Sequence, residues 1–219
     1  MQKKRSYLNT DNISRSTEKI EFHPLKPCID NKTEILFLGS FPPKRSKWSK
    51  GFDFFYPNFI NDHWRIMGQI FFCNKDFFVD NKNKTFLYEK ILDFVEKHHI
   101  GYYDTAEAVH RLKDNASDKY LDIVKKTDLR ELLANAPKCR HIITTGEKAT
   151  TTLCQQLGIE TIPKVGQSVT VSVRHADTQK NIGIHRLPSS SRAYPMPLKR
   201  KAELYQAMLV KVCLCTLQQ

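Results

Sequence analysis

The sequence predicts an α/β fold. Two short apolar stretches, Ile35–Leu38 and His141–Thr144, each run into a glycine turn, at Gly39 and Gly146, the pattern of strands buried on both faces of a parallel sheet. Segments with apolar residues at helical spacing follow them, so strand, turn and helix recur in βα order. A chain of 219 residues with 40% apolar and 11% aromatic side chains holds one core, or a core with an appendage, and excludes a collagen, a mucin or a wholly disordered polymer.

In chain order, residues 1–20 read as a flexible basic leader carrying Lys3, Lys4 and Arg5, and 21–219 as a single domain that begins near His23-Pro24-Leu25. The buried strand Ile35–Leu38 leads into a long loop. His63–Phe72 is predicted as a helix, and Phe86–His98 as another with Leu87, Ile91, Phe94 and Val95 on one side. Residues 100–127 look mixed and loop-rich. Asp128–Ala134 reads as a short helix opened by an acidic residue that suits its N-terminus. After the strand at His141, Gly146 turns the chain into a helix through Leu153 and Leu157. Val169–Val173 alternates with polar residues and pairs, across a polar turn at Ala176–Lys180, with Ile182–Leu187 as a hairpin. A terminal helix starts at Pro197, with Leu198, Ala202, Tyr205, Leu209 and Val212 on one face. No internal repeat, low-complexity tract or interdomain linker is present.

No apolar run approaches the ~20 residues of a membrane helix, and the first twenty residues lack the apolar centre of a secretory signal, so a soluble, cytoplasmic protein without a membrane partner is expected. The formal net charge of +12 points to a polyanionic partner, nucleic acid first. The six cysteines lack zinc or iron–sulfur spacing, and His98 and His99 are adjacent on a helix and point apart, so no metal and no cofactor are expected.

Two segments carry the chemistry. The first leaves the Ile35 strand as Gly39-Ser40-Phe41-Pro42-Pro43, continues through Lys44, Arg45, Lys47 and Lys50, and ends in the aromatic stretch Phe52–Trp64, which contains Phe55, Tyr56, Asn58, Asn61 and Asp62. A glycine at the carboxyl end of a buried strand allows close approach of a ligand where α/β sheets place their sites. The cations suit a phosphate backbone, the aromatics suit base stacking, and the amides and carboxylate suit an edge or a water. The second segment, His185–Tyr194, also leaves a strand and sets Ser189, Ser190 and Ser191 beside Arg192, a natural phosphate grip.

Together the two segments resemble the signature motifs of the uracil-DNA glycosylase superfamily, closest to its mismatch-specific/thymine-DNA glycosylase and hypoxanthine-DNA glycosylase branches. Gly39–Pro43 is similar to the first motif, Tyr56–Trp64 to the aromatic-Asn-x-x-Trp segment after it, and Leu187–Arg192 to the second motif's minor-groove loop. The resemblance spans about His23 to Met208. It implies a three-layer α/β/α sandwich with a mainly parallel central sheet. The implied activity is that of a monofunctional, monomeric enzyme of base excision repair, which flips a deaminated or mispaired base, uracil or hypoxanthine, out of DNA and hydrolyses its N-glycosidic bond.

By the same resemblance, Phe55 or Tyr56 stacks on the extruded base, with Gly39, Ser40 and the Phe41 amide around it. Lys44, Arg45, Ser189, Ser190, Ser191 and Arg192 grip DNA, and the Pro188 loop is the wedge. Where mismatch-specific and uracil enzymes carry an asparagine or a carboxylate in the first motif, this chain has Phe41 and Pro42. The hypoxanthine branch has a Gly-Ser-Phe-Pro type motif there and an asparagine in the next segment, which maps to Asn61. Asn61 is thus expected to orient the attacking water, with Asp62 and Asn58 as substitutes, although its place before the His63 helix equally suits a helix cap.

Trp64 and His185 read as core and strand residues, and Asp104 and Asn115 as pocket readers. The competing class is a catalytically silent nucleic-acid-binding relative that kept the grip and lost the activator. A small-molecule α/β hydrolase is excluded for want of a Gly-x-Ser-x-Gly elbow.

Overall fold

The computed structural model describes residues 19–112, 118–175 and 178–212. Asn115 and most of the basic leader lie outside these residues. The elements are β1 (Ile20–Phe22), β2 (Ile35–Gly39), α1 (His63–Phe72), β3 (Val79–Asp80), β4 (Thr85–Phe86), α2 (Tyr88–Lys97), β5 (Ile100–Asp104), β6 (Ala106–Arg111), β7 (Leu121–Lys126), α3 (Leu129–Ala134), β8 (His141–Thr145), α4 (Glu147–Gln156), β9 (Ser168–His175), β10 (Thr178–Leu187) and α5 (Leu198–Lys211).

A five-stranded sheet in the order β5-β2-β8-β10-β9 forms the centre. The β5–β2, β2–β8 and β8–β10 pairings are parallel, and β10–β9 is antiparallel, so the sheet is mixed. The antiparallel edge is a pairing of chain neighbours, Thr178–His185 of β10 lying against His175–Ser168 of β9, with Ala176 and Asp177 outside the described residues. A second sheet, β1-β6-β7, is antiparallel throughout, and β3 and β4 form a two-stranded ribbon.

Every residue of β2 and β5 is buried, so both faces of the sheet are covered, as the unbroken apolar run of β2 implies. Phe37 of β2 stacks on Tyr102 of β5 with centroids 5.4 Å apart, and α1 lays Trp64 over this layer. Trp64 is fully buried and donates its indole N–H to the Phe55 carbonyl at 3.0 Å, so its polar edge is satisfied inside the core. α1 packs in turn on α5, whose Ala202, Tyr205 and Leu209 are buried on one face, as is Val212 just past its end. The short helix α3 begins as its sequence implies, with the Asp128 carboxylate accepting from the N–H groups of Arg130 and Glu131 at 2.9 and 3.1 Å.

Three expectations are corrected. Residues 100–127 are not mainly loop: they contain β5, β6 and β7. β5 shows no polar alternation because both its faces are buried, and register shifts near Ala106 and Ala108 break the β6–β7 periodicity. The polar segment at Lys180 belongs to β10, because residues from Thr178 onward pair with β9 at the sheet edge. Order among the described residues begins before His23, since Ile20–Phe22 pairs with His110–Ala108. No helix among the described residues is long and apolar enough to cross a membrane.

Candidate active site at the strand ends

The carboxyl ends of four neighbouring strands open into one cavity. β5 delivers Asp104, β2 delivers Gly39 and Ser40, β8 delivers Thr145, and the exit of β10 delivers Ser189, Ser190 and Ser191. Such strand ends are where the backbone of an α/β sheet leaves a crevice. The space open to the centre of a water-sized sphere is about 120 Å³, several times the ~10–15 Å³ that admits a single water. Phe55, Tyr56, Asn58 and Asn61 line it from the loop before α1, with Phe41, Pro42 and Pro43 on the β2 side. The two segments singled out in the sequence therefore meet, and the Asp62 N–H donates to the Ser190 carbonyl at 3.0 Å between them.

Tyr56 is the most constrained residue of the lining. Its φ of 53° lies in the left-handed region, a conformation that costs of order 1 kcal/mol and persists only where the surroundings hold it. Two contacts hold it: the ring stacks on His63 with centroids 3.8 Å apart, and the hydroxyl bonds the Thr145 hydroxyl at 2.8 Å. Burial pushes the Tyr56 phenol well above its usual range, so it remains a neutral donor. Burial also drives His63 down to about 3, so the ring beneath Tyr56 is uncharged at neutral pH. Phe55 stacks on Tyr102 at 5.9 Å and is almost fully buried.

Asn61 lines the cavity and closes a turn at the start of α1, its side-chain oxygen accepting the His63 N–H at 2.9 Å; the N-cap position itself is Asp62, whose side chain makes no capping bond. Asn58 closes a turn of its own by accepting from the Ile60 N–H at 3.1 Å. Arg65 fixes the loop between them, donating to the carbonyls of Phe59 and Asn61 at 2.7 and 3.2 Å. Asp62 does not line the cavity. Its carboxylate is buried between Lys201 at 3.0 Å and Arg192 at 3.1 Å, which ties α1 to α5 and to the serine loop.

The serine loop presents hydroxyls. Ser189 accepts from the Ser191 N–H and Ser191 from the Ala193 N–H, both at 3.2 Å, and each retains its own O–H to donate. Ser190 is buried, and so is Pro188, whose carbonyl accepts from the Tyr205 hydroxyl at 3.0 Å. A buried proline does not wedge into a duplex; the exposed residues of this loop are Arg192 and Ala193. Gly146 enters α4 with φ 98° and ψ 170°, a backbone reserved for glycine, and a Cβ there would sit 3.4 Å from Ser189.

Arg45 is exposed, ion-paired with Asp53 and stacked 3.9 Å over Trp48 on the basic rim, while Lys44 beside it is partly buried. Phe41 turns its ring into a small apolar cluster with Ala106, Val109 and Leu121. Arg111 braces this side by donating to the Pro42 carbonyl at 3.0 Å and to Glu21 through two nitrogens.

Two carboxylates also line the cavity. Asp104 was expected as a pocket reader; Asp118, with Arg111 and Thr145, was not singled out. Burial raises the Asp118 carboxyl above its usual range, partly offset by a hydrogen bond with Ser40. The sequence offers one signal for such residues: a polar residue that ends an apolar strand, as Asp104 and Thr145 do. Among the described residues, no group of three or more His, Cys, Asp or Glu side chains is placed to hold a metal ion.

No protein-family model matches the chain, and no curated protein matches it. Among solved structures, the chain is similar to the solution NMR structure of a "putative Uracil DNA glycosylase" from Methanosarcina acetivorans, with 24% identity and a TM-score of 0.55 over 89% of this chain and 99% of that one. The likeness is one of fold, that of a mixed α/β chain.

Proposed function

We propose that this protein is a monofunctional DNA glycosylase, which takes a deaminated or mispaired base, uracil or hypoxanthine, from DNA into the strand-end cavity and hydrolyses its N-glycosidic bond. The observation that carries this reading is the convergence of the Gly39–Asn61 and Ser189–Ser191 segments on one cavity, tied by the Asp62–Ser190 backbone hydrogen bond. The likeness of fold and the net charge of +12 support it.

In this reading the mixed sheet is the mainly parallel core of a three-layer α/β/α sandwich, and the protein works as a monomer of the hypoxanthine-like branch. The extruded base lies against the Phe55–Tyr56 wall. Departure of the base leaves positive charge on the sugar and negative charge on the base, so oriented dipoles around the cavity stabilise the transition state more than the ground state. Asn61 orients the attacking water, and the hydroxyls of Ser189 and Ser191 with Arg192 hold phosphates at the mouth.

Incubation with duplexes containing uracil, hypoxanthine, xanthine or ethenocytosine, followed by alkali, tests the proposal. Strand cleavage at one of these bases, and none without alkali, is expected. Salt-dependent binding that leaves no abasic site on any of them overturns it in favour of a silent DNA-binding relative.

A further inference from the structure

The geometry points to Asp104, at the end of β5, as the carboxylate that takes the proton of the attacking water, with His23 as its positioning residue; the inference rests on the glycosylase reading above. The segment after Gly39 lines the cavity with Ser40, Phe41, Pro42 and Pro43, none of which carries a carboxylate to take a proton, so a proton acceptor has to come from elsewhere in the cavity. Asp104 is the strand neighbour of Gly39 in the parallel β2–β5 register, which sets its side chain beside the same strand end.

The two oxygens of Asp104 have different surroundings. Oδ2 is 2.9 Å from His23 Nε2, and both side chains are almost wholly buried. His23 is itself held, its Nδ1 accepting the Leu25 N–H at 3.2 Å and its ring packed 4.7 Å from Tyr103. With Nε2–H donating to the carboxylate, the imidazole fixes the orientation of the group, the arrangement of a base steadied by a third residue. Oδ1 has no hydrogen-bond partner among the described residues. It occupies the space that a Gly39 side chain would fill, 2.3 Å from where a Cβ would stand, and that point is 3.9 Å from the Tyr56 hydroxyl. The absence of a side chain at Gly39 thus leaves room for the open oxygen of Asp104 among the cavity walls.

The step balances. Water oxygen bonds to C1′ of the sugar as the C1′–N bond breaks and its electron pair leaves with the base. One water proton passes to Asp104 Oδ1, and the other stays on the new sugar hydroxyl. The departing base nitrogen takes up a proton, and Asp104 returns its own to solvent. The ionised carboxylate also faces the positive charge that builds on the sugar.

Single-turnover release is measured on whichever duplex the wild-type protein cleaves. D104N is expected to lower the rate by ~10²-fold or more while salt-dependent duplex binding is unchanged. G39A, which drives a Cβ into Oδ1 without removing the carboxylate, is a second variant should D104N fail to fold; it is expected to lose rate similarly, and the double variant to lose little more. For His23, H23A is expected to lose rate and shift the acidic limb of the pH–rate profile, and H23Q, which retains a donor, to recover part of the loss; a merely structural role would leave the profile unmoved. Wild-type release with D104N or G39A within threefold of it overturns the inference alone, as does a loss confined to D118N. No base release by the wild-type protein overturns the glycosylase reading and the inference with it.

Discussion

Lys201 donates its ammonium to the Asp62 carboxylate at 3.0 Å across 139 residues of sequence, and both side chains are buried. The same ammonium donates to the Ser191 carbonyl at 2.7 Å, and the carboxylate also receives Arg192. This junction pins the serine loop to the helix that starts at the cavity wall. Removing Lys201 leaves the buried Asp62 carboxylate to the half-exposed Arg192 alone and the Ser191 carbonyl without its donor, at a cost that approaches the ~3–5 kcal/mol of a broken buried pair. Lys201→Met should therefore lower the urea midpoint sharply at unchanged m-value, and Lys201→Met with Asp62→Leu should recover much of the loss, which equilibrium unfolding checks.

Asn61 combines a turn bond to the His63 N–H with a cavity position, and a single substitution separates them. A serine hydroxyl makes the same kind of turn bond but is shorter. Asn61→Ser should keep stability within ~1 kcal/mol and lose base release by ~10²-fold. Unchanged release with unchanged stability would reduce Asn61 to a turn residue. Thermal melting and single-turnover assays decide.

Acidification should destabilise the fold well above the carboxylate range. Burial holds His63 down to about 3, and burial, with His141 and Lys211 nearby, holds His185 down to about 4, against an ordinary 6.5. The unfolded chain then binds more protons than the native one between those values. The stabilisation is complete above pH ~6.5 and declines as pH falls toward 4 and 3, by ~1.4 kcal/mol per unit per histidine. Unfolding at pH 7 and pH 5 should show the loss, and His185→Gln should flatten the slope.

Gly146→Ala should cost ~1–3 kcal/mol, because φ 98° and ψ 170° lie in a region that only glycine occupies readily. The new Cβ would reach Ser189 at 3.4 Å, an ordinary contact, so the cost is one of backbone strain. Equilibrium denaturation measures it.

Lys47 is exposed on the basic turn at Arg45–Lys47. If it meets a phosphate, Lys47→Ala should weaken duplex binding for every sequence alike and reduce the slope of log K against log[salt] by ~1. Titrations at several salt concentrations check this.

Much of this was legible before any coordinates. β2 and β8 follow from their apolar runs, α1 from its spacing, and α3 from Asp128, because each depends on interactions within a few residues. β5 was not, since Gly101 interrupts the apolar run of Ile100-Gly101-Tyr102-Tyr103, which then reads as a turn, although every residue of it is buried. β6 and β7 were hidden by their irregular register. The resemblance made the Pro188 loop a wedge, yet Pro188 itself is buried and its carbonyl accepts from Tyr205 of α5, a contact set by helix packing.

The amino-acid order by itself determined β2, β8, the β9–β10 hairpin and the helices, which two loops leave strand ends, and the net positive charge, since periodicity, turn residues and composition are local properties. Only the tertiary structure decided that Asp62 is locked to Lys201, that His23 steadies Asp104, and that Asp104 rather than Asp62 borders the cavity. These pairs are separated by 139 and 81 residues. Their partners are chosen by strand register and helix packing, and a carboxylate buried beside a cation has a different chemistry from the same residue facing open space.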